Sequence, residues 1–250
     1  MSMKSGNGIW SSSFAIAHRG ASQLAPENTI AALMVAKAKG AAWVECDVQL
    51  TRDDVPVILH DTTLNRTTNT WGLLSATSFQ KIQTLDAGSW FSTEFSHEPV
   101  PTLTDWLTAC VKLKIGLNLE MKARSEKRAQ RLAKMVAQTI QQCWTTDFSN
   151  LVISSANITC LTEIAKYYPS IKLGLIYSRH VSERVIQQLR IQHIISVHQP
   201  FSVFDAAYVA WLHSQKMFAL AYTVNDPALA DQLKQMRVDG IFTDNVALFQ

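Results

Sequence analysis

The chain has 250 residues, a net charge of +3 and a composition that is 47% hydrophobic and 17% charged, which suits a globular protein with room for one full core. No run of 18 or more apolar residues occurs, so no helical membrane span or stable membrane insertion is expected. Cys46, Cys110, Cys143 and Cys160 lack CxxC spacing, which argues against a zinc site or a disulfide framework and for a reducing, cytoplasmic setting.

In chain order, Met1–Ser13 has one Lys and no apolar run, so it reads as a short flexible lead-in rather than a secretory signal. Short apolar strands then alternate with helical segments. Strands are expected at Phe14–Ala17, Trp43–Val48, Ile115–Glu120, Leu151–Ser154, Lys172–Ile176, Ile194–Val197, Phe218–Thr223 and Gly240–Thr243. Helical periodicity fills the gaps at Asn28–Lys39, Thr104–Leu113, Arg124–Cys143, Ile158–Tyr167, Ser182–Leu189, Val203–Gln215 and Pro227–Met236. Asn28 is placed to cap the first helix. Continuously apolar strands in strict alternation with helices point to a parallel α/β architecture. An open doubly wound sheet shares that alternation, but eight repeats in this length fit a TIM (β/α)8 barrel better. The chain 1–250 is therefore taken as one barrel domain. Its second strand is followed by an irregular excursion, and residues 61–103 form a small inserted lobe. The basic residues between Lys122 and Lys134 fall on an amphipathic helix and read as a solvated face, so no nucleic-acid partner is expected.

Within these elements the polar residues fall at telling intervals. Glu45 and Asp47 stand two apart in a strand, so both carboxylates share one face. Such a pair repels unless a cation lies between them, and oxygen ligands suit Mg2+ or Ca2+. The segment Val48–His60 reads as two strands hinged on Asp53–Asp54. A two-residue turn there sets Arg52 opposite Val55, and hence Asp47 opposite His60. Glu120 and Lys122 again share a face, adding a third carboxylate and a positive charge. The first strand delivers His18-Arg19-Gly20 at its C-terminal end, the rim where barrel enzymes gather their catalytic groups. Three acids, two histidines, an Arg and a Lys suit phosphoryl chemistry, with one His as acid and the other as base. His198, Asp239 and Asp244 are assigned structural, turn or cap duties. Trp90 and Phe91 either cover the barrel mouth or form a small core of the lobe.

A series of strings resembles the glycerophosphodiester phosphodiesterases over nearly the whole chain: His18-Arg19-Gly20, Pro26-Glu27-Asn28-Thr29, Glu45-x-Asp47, His60-Asp61, Arg66-Thr67-Thr68, Gly88-Ser89-Trp90-Phe91, Leu119-Glu120-Met121-Lys122 and Thr223-Val224-Asn225. That resemblance implies hydrolysis of a small-molecule glycerophosphodiester, such as glycerophosphocholine or glycerophosphoethanolamine, to sn-glycerol 3-phosphate and an alcohol. By position it makes His18 and His60 the acid/base pair, Glu45, Asp47 and Glu120 the ligands of a divalent metal, and Arg19 and Lys122 the phosphate contacts. Tyr222 stands where the family usually has a Trp against the glycerol. The other departures are Asp54, where Gly is favoured, and Ala156, where Phe is usual. The competing readings are a lysophospholipase D-type activity, which needs an apolar channel near Trp90 and Tyr222, and a catalytically silent phosphodiester-binding protein.

Overall fold

The computed structural model describes residues 14–249; the lead-in 1–13 lies outside the described residues. Eight strands form a closed parallel ring: β1 (Ala15–Ala17), β2 (Trp43–Leu50), β4 (Gly116–Met121), β5 (Leu151–Ser155), β6 (Lys172–Ile176), β7 (Ile194–Pro200), β8 (Phe218–Tyr222) and β9 (Gly240–Thr243). Each pairs with its ring neighbour, and β1 closes the barrel by pairing with both β9 and β2. A ninth strand, β3 (Pro56–Ile58), lies outside the ring, antiparallel to β2. The fold is a TIM barrel.

The apolar runs are buried on both sides, as a ring covered by helices requires. Inside the barrel Ile16, Trp43, Val152, Leu220 and Phe242 pack together. A Cβ on Gly116 would sit 2.5 Å from the Trp43 ring, so only glycine lets that indole lie across the barrel floor. Outside the ring, Leu33, Trp106, Leu107, Leu132, Val136, Leu161, Leu189 and Leu212 press the helices onto the strands. These helices are α1 (Ile30–Ala38), α3 (Leu103–Leu113), α4 (Glu126–Cys143), α5 (Ile158–Tyr167), α6 (Glu183–Ile191), α7 (Ala206–Ser214) and α8 (Pro227–Gln235), and a single turn, α2 (Phe79–Ile82), lies in the excursion. Asp and Ser caps recur at their starts, among them Ser125, Ser182, Asp205 and Asp226. Each side-chain oxygen accepts an otherwise unpaired first-turn N–H.

The excursion after β3 gathers on a cluster of its own, formed by Val57, Leu59, Leu64, Leu74, Ile82, Leu85, Ala87 and Val100. It rejoins the barrel where Thr102 caps α3 through a reciprocal bond with Asp105. The β2–β3 hairpin corrects one expectation. Val48 faces Ile58 and Leu50 faces Pro56, so Asp47 lies opposite Leu59, whose N–H reaches the Asp47 carbonyl at 3.0 Å. The turn holds three residues, Arg52-Asp53-Asp54, with Asp54 at φ 63°, and Val55 N–H is tied to the Thr51 hydroxyl. The one-residue slip follows from Asp54 taking the left-handed position that closes a three-residue loop. No described helix is long and apolar enough to cross a membrane.

Candidate active site

At the C-terminal end of β1 the chain turns sharply through Arg19 (φ 55°) and Gly20 (φ 81°). Gly20 is required twice over, because a Cβ there would also lie 2.7 Å from the Ala32 backbone. This turn throws two side chains and one N–H onto the barrel rim. His18 Nδ1 donates to Asp244 Oδ1 at 2.7 Å, and its Nε2 lies 4.0 Å from Glu45 Oε2. The Arg19 N–H donates to Glu45 Oε2 at 2.9 Å. The Arg19 guanidinium meets Glu27 at 2.8 Å and Asp47 at 3.4 Å.

The three expected carboxylates converge. Oxygens of Glu45, Asp47 and Glu120 lie within 4.8 Å of one another. Register explains this: β2 and β4 pair in parallel with Asp47 beside Glu120, and the period of two puts Glu45 on the same inward face. Their charges are unevenly settled. Burial, then Asp47 and Glu120, push Glu45 well above the usual carboxylate range. Burial and Asp47 push Glu120 up to about 7. Burial also acts against Asp47, yet Lys122, Arg19 and His60 hold it well below that range. Lys122 Nζ stands 3.1 Å from Glu120 and 3.3 Å from Asp47. Asn28 completes the clamp on Asp47: its amide donates to Asp47 Oδ2 at 2.9 Å, while its own oxygen accepts from the Asp47 N–H. Asn28 is therefore not the cap of α1. Thr29 fills that role, accepting from Ala32 N–H, which frees the Asn28 side chain for Asp47.

His60 arrives from the other side. It follows Leu59 beyond the end of β3, where the chain has left the ladder, so its position comes from hydrogen bonds rather than register. Its Nδ1 donates to Asp61 Oδ1 at 2.7 Å. Burial, countered by Asp47 but reinforced by Arg19 and Lys122, lowers its pKa. Arg66 then ties this corner to the first strand's corner. It binds both oxygens of Asp61 (2.8 and 3.0 Å) and both oxygens of Glu27 (2.6 and 2.8 Å), the same Glu27 that holds Arg19. Such doubly bidentate geometry is the strong form of the Arg–carboxylate pair.

These groups surround a cavity of about 320 Å³ lined by His18, Arg19, Glu45, His60, Lys122 and Tyr222, with Ala156 and His198 also on its wall. A second cavity of about 560 Å³ opens beside it and shares His60, Glu120, Lys122 and Ala156. His198 is buried against Ser196 and Phe242, and burial drops its pKa to about 3, so it stands neutral in the wall. Trp90 and Phe91 line neither cavity. They pack edge to face with each other, and Phe91 packs likewise against Phe95, while the Trp90 indole donates to the Ala87 carbonyl.

The groups that sequence reasoning passed over are Asp244, Asn28, Arg66 and, in large part, Glu27. Asp244 was assigned to a turn, yet it orients His18 and also accepts from Ser22 and Asn225. Despite its burial, those bonds keep it at about 2. Its place just past the last strand, as His18 stands just past the first, was the available signal once the barrel closes β1 onto β9.

Comparison with known proteins agrees with this geometry. A family model described as the glycerophosphoryl diester phosphodiesterase family matches residues 18–248. The Bacillus subtilis protein YhdW is 34% identical over 234 residues, covering 92% of this chain and 94% of that one. A glycerophosphodiester phosphodiesterase of Caldanaerobacter subterraneus is 31% identical, with 92% and 93% covered. Among solved structures, an Oleispira antarctica phosphodiesterase in complex with the product sn-glycerol-3-phosphate superposes with a TM-score of 0.90 at 35% identity, covering 94% of each chain.

Proposed function

This chain belongs to the glycerophosphoryl diester phosphodiesterase family, and from that premise we propose how its own residues carry out the reaction: hydrolysis of a glycerophosphodiester to sn-glycerol 3-phosphate and an alcohol. The single observation that carries the proposal is the convergence, on one rim, of three carboxylates (Glu45 and Asp47 buried, Glu120 half-buried), two cations and two histidines each anchored by a carboxylate. The Oleispira relative bound to sn-glycerol-3-phosphate supports the assignment of the product.

Glu45, Asp47 and Glu120 fit a divalent cation, Mg2+ or Ca2+. The donor set is all oxygen, and Glu45 Oε1 is buried without a hydrogen-bond partner. Burial and the neighbouring carboxylates both push Glu45 and Glu120 upward, a setting in which a dication's charge would favour the ionised forms. When bound, the ion supplies Lewis-acid neutralisation of charge on the phosphoryl group. Arg19 and Lys122 add the protein's own positive charge beside it and fix the phosphate by direct donation.

The histidines handle protons. A carboxylate only accepts, so Asp244 and Asp61 each require Nδ1–H on their histidine. That leaves Nε2 of His18 and of His60 free to exchange a proton with the substrate. One takes the proton from the attacking hydroxyl, and the other gives a proton to the oxygen of the departing alcohol. Tyr222, on the wall of the smaller cavity, provides the aromatic face for the glycerol.

Among lipid-derived diesters, the lining of the cavities supports a water-soluble substrate. The larger one presents Thr62, Thr63, Asn157 and Arg124 rather than an apolar channel, and Trp90 lies elsewhere. The test is to incubate the protein with glycerophosphocholine and with lysophosphatidylcholine, with Mg2+, with Ca2+ and with EDTA, measuring glycerol 3-phosphate and choline. Metal-dependent release of glycerol 3-phosphate from the first substrate is expected. Activity confined to the lysolipid, or none on either, overturns the reading.

A further inference from the structure

We propose that the larger cavity is the seat of the departing alcohol and that Arg124 selects alcohols carrying an anionic group. The proposal rests on the glycerophosphodiesterase reading and names the substrate class for it.

A phosphodiester has two arms, and two cavities meet at the site. The smaller one holds His18, Arg19 and Tyr222. The larger one adjoins it through His60, Glu120, Lys122 and Ala156 and runs outward past Thr62 and Thr63 to Arg124. Ala156, one of the shared residues, adds little bulk at that junction. A phosphoryl group held by Lys122 at this junction therefore has one arm in each cavity, and the larger has room for a polar head group.

The charge in the larger cavity then decides which head group. Two carboxylates line it, and both are already matched: Asp61 by Arg66 and His60, Glu120 by Lys122. The cavity wall contains no Phe, Tyr or Trp, and its one imidazole, His60, is bonded to Asp61. A trimethylammonium group finds neither of the partners it prefers, a free carboxylate or an aromatic face. Arg124 is the opposite case. Its guanidinium donates to the Thr62 hydroxyl at 3.2 Å, and among the described residues it forms no ion pair. Arg128 and Arg131 on α4, by contrast, both pair with Asp54. Arg124 also lines the next hollow outward, beside Leu73 and Ser75, so it stands at the outer end of the alcohol's path with its charge unmatched. A carboxylate or phosphate on the alcohol supplies the missing partner in bidentate form.

Glycerophosphoserine and glycerophosphoethanolamine differ only by a carboxylate on the alcohol, so they isolate this contact. The purified protein is assayed on both by release of glycerol 3-phosphate, and kcat and KM are resolved for wild type, Arg124→Gln and Arg124→Lys. Wild type is expected to favour the serine diester. The Gln variant is expected to lower the serine-to-ethanolamine ratio of kcat/KM about tenfold, the usual worth of one charge-assisted hydrogen bond at a cavity rim, mainly through KM. The Lys variant is expected to keep part of the preference. A ratio that is the same in wild type and Arg124→Gln overturns the proposal even where both activities fall together, because a merely structural Arg124 would act equally on the two substrates. Hydrolysis of neither diester by the wild-type protein overturns the parent reading itself, which is a separate and recognisable result.

Discussion

The strand β9 carries an Asp–His pair at each end, and the two pairs look alike. Before the strand, Asp239 Oδ2 meets His213 Nε2 at 2.9 Å; after it, Asp244 Oδ1 meets His18 Nδ1 at 2.7 Å. Their surroundings separate them. Asp239 also accepts the Ala219 N–H, so it splices the end of α7 to the start of β8. Asp244 stands at the C-terminal mouth behind His18, where His18, Arg19, Glu45 and His60 line the smaller cavity. A carboxylate–histidine pair is thus a local device of no fixed purpose. On the proposed reading, the mouth of the barrel it occupies decides whether it holds the fold or moves a proton.

The sharpest way to break that comparison is to delete each histidine. His18→Ala and His60→Ala are each expected to slow turnover by about 10²–10⁴-fold, the usual worth of acid–base catalysis, with little change in melting temperature. Unchanged kcat in either variant removes that histidine from the reaction. Next in size are the residues that hold them. Asp244→Asn keeps an acceptor but loses the charge, and Arg66→Met unties Asp61 from Glu27. Each is expected to lower kcat by about 10–100-fold, as supporting groups around a site commonly do. A wild-type rate in Arg66→Met would show that the lobe needs no tie to the barrel to place His60.

The smallest effect belongs to the other mouth. Asp239 raises the pKa of His213, chiefly by hydrogen bond. The stabilisation is therefore fully present below the ordinary histidine value and is lost as pH rises through the raised one. The pair is partly exposed, so solvent screening holds its worth to well under ~1 kcal/mol. His213→Ala should lower the melting temperature slightly at pH 5.5, leave it unchanged at pH 8.5, and leave kcat as it was. A loss of turnover in this variant would mean that the two mouths are coupled, against the comparison drawn here.

The barrel and the lobe also differ in how far they could be read from sequence. Every barrel strand was placed to within three residues at either end, because two-sided burial leaves a continuous apolar run that turns and helices punctuate. The inward pairs Glu45–Asp47 and Glu120–Lys122 followed from the period of two. His60 was expected beside Asp47 through a two-residue turn. It comes to the site by a different route, since the turn has three residues and His60 lies past the strand. Trp90 and Phe91 were left between two places and lie with Phe95, away from the cavities. Lobe residues owe their positions to side-chain bonds such as Arg66–Glu27 across 39 residues, and no periodicity announces those.

The chain by itself determined the alternation of strand and helix, the faces on which its acids and bases stand, and the glycines that allow the turn at Gly20 and the packing of Trp43. Tertiary structure alone decided which carboxylate each histidine received, that Asn28 serves Asp47 while Thr29 caps the helix, and that Arg124 is left without a counter-charge among the described residues. The physical reason is range. Backbone period and local capping act over a few residues, whereas closing β1 onto β9 brings His18 against a residue 226 positions away.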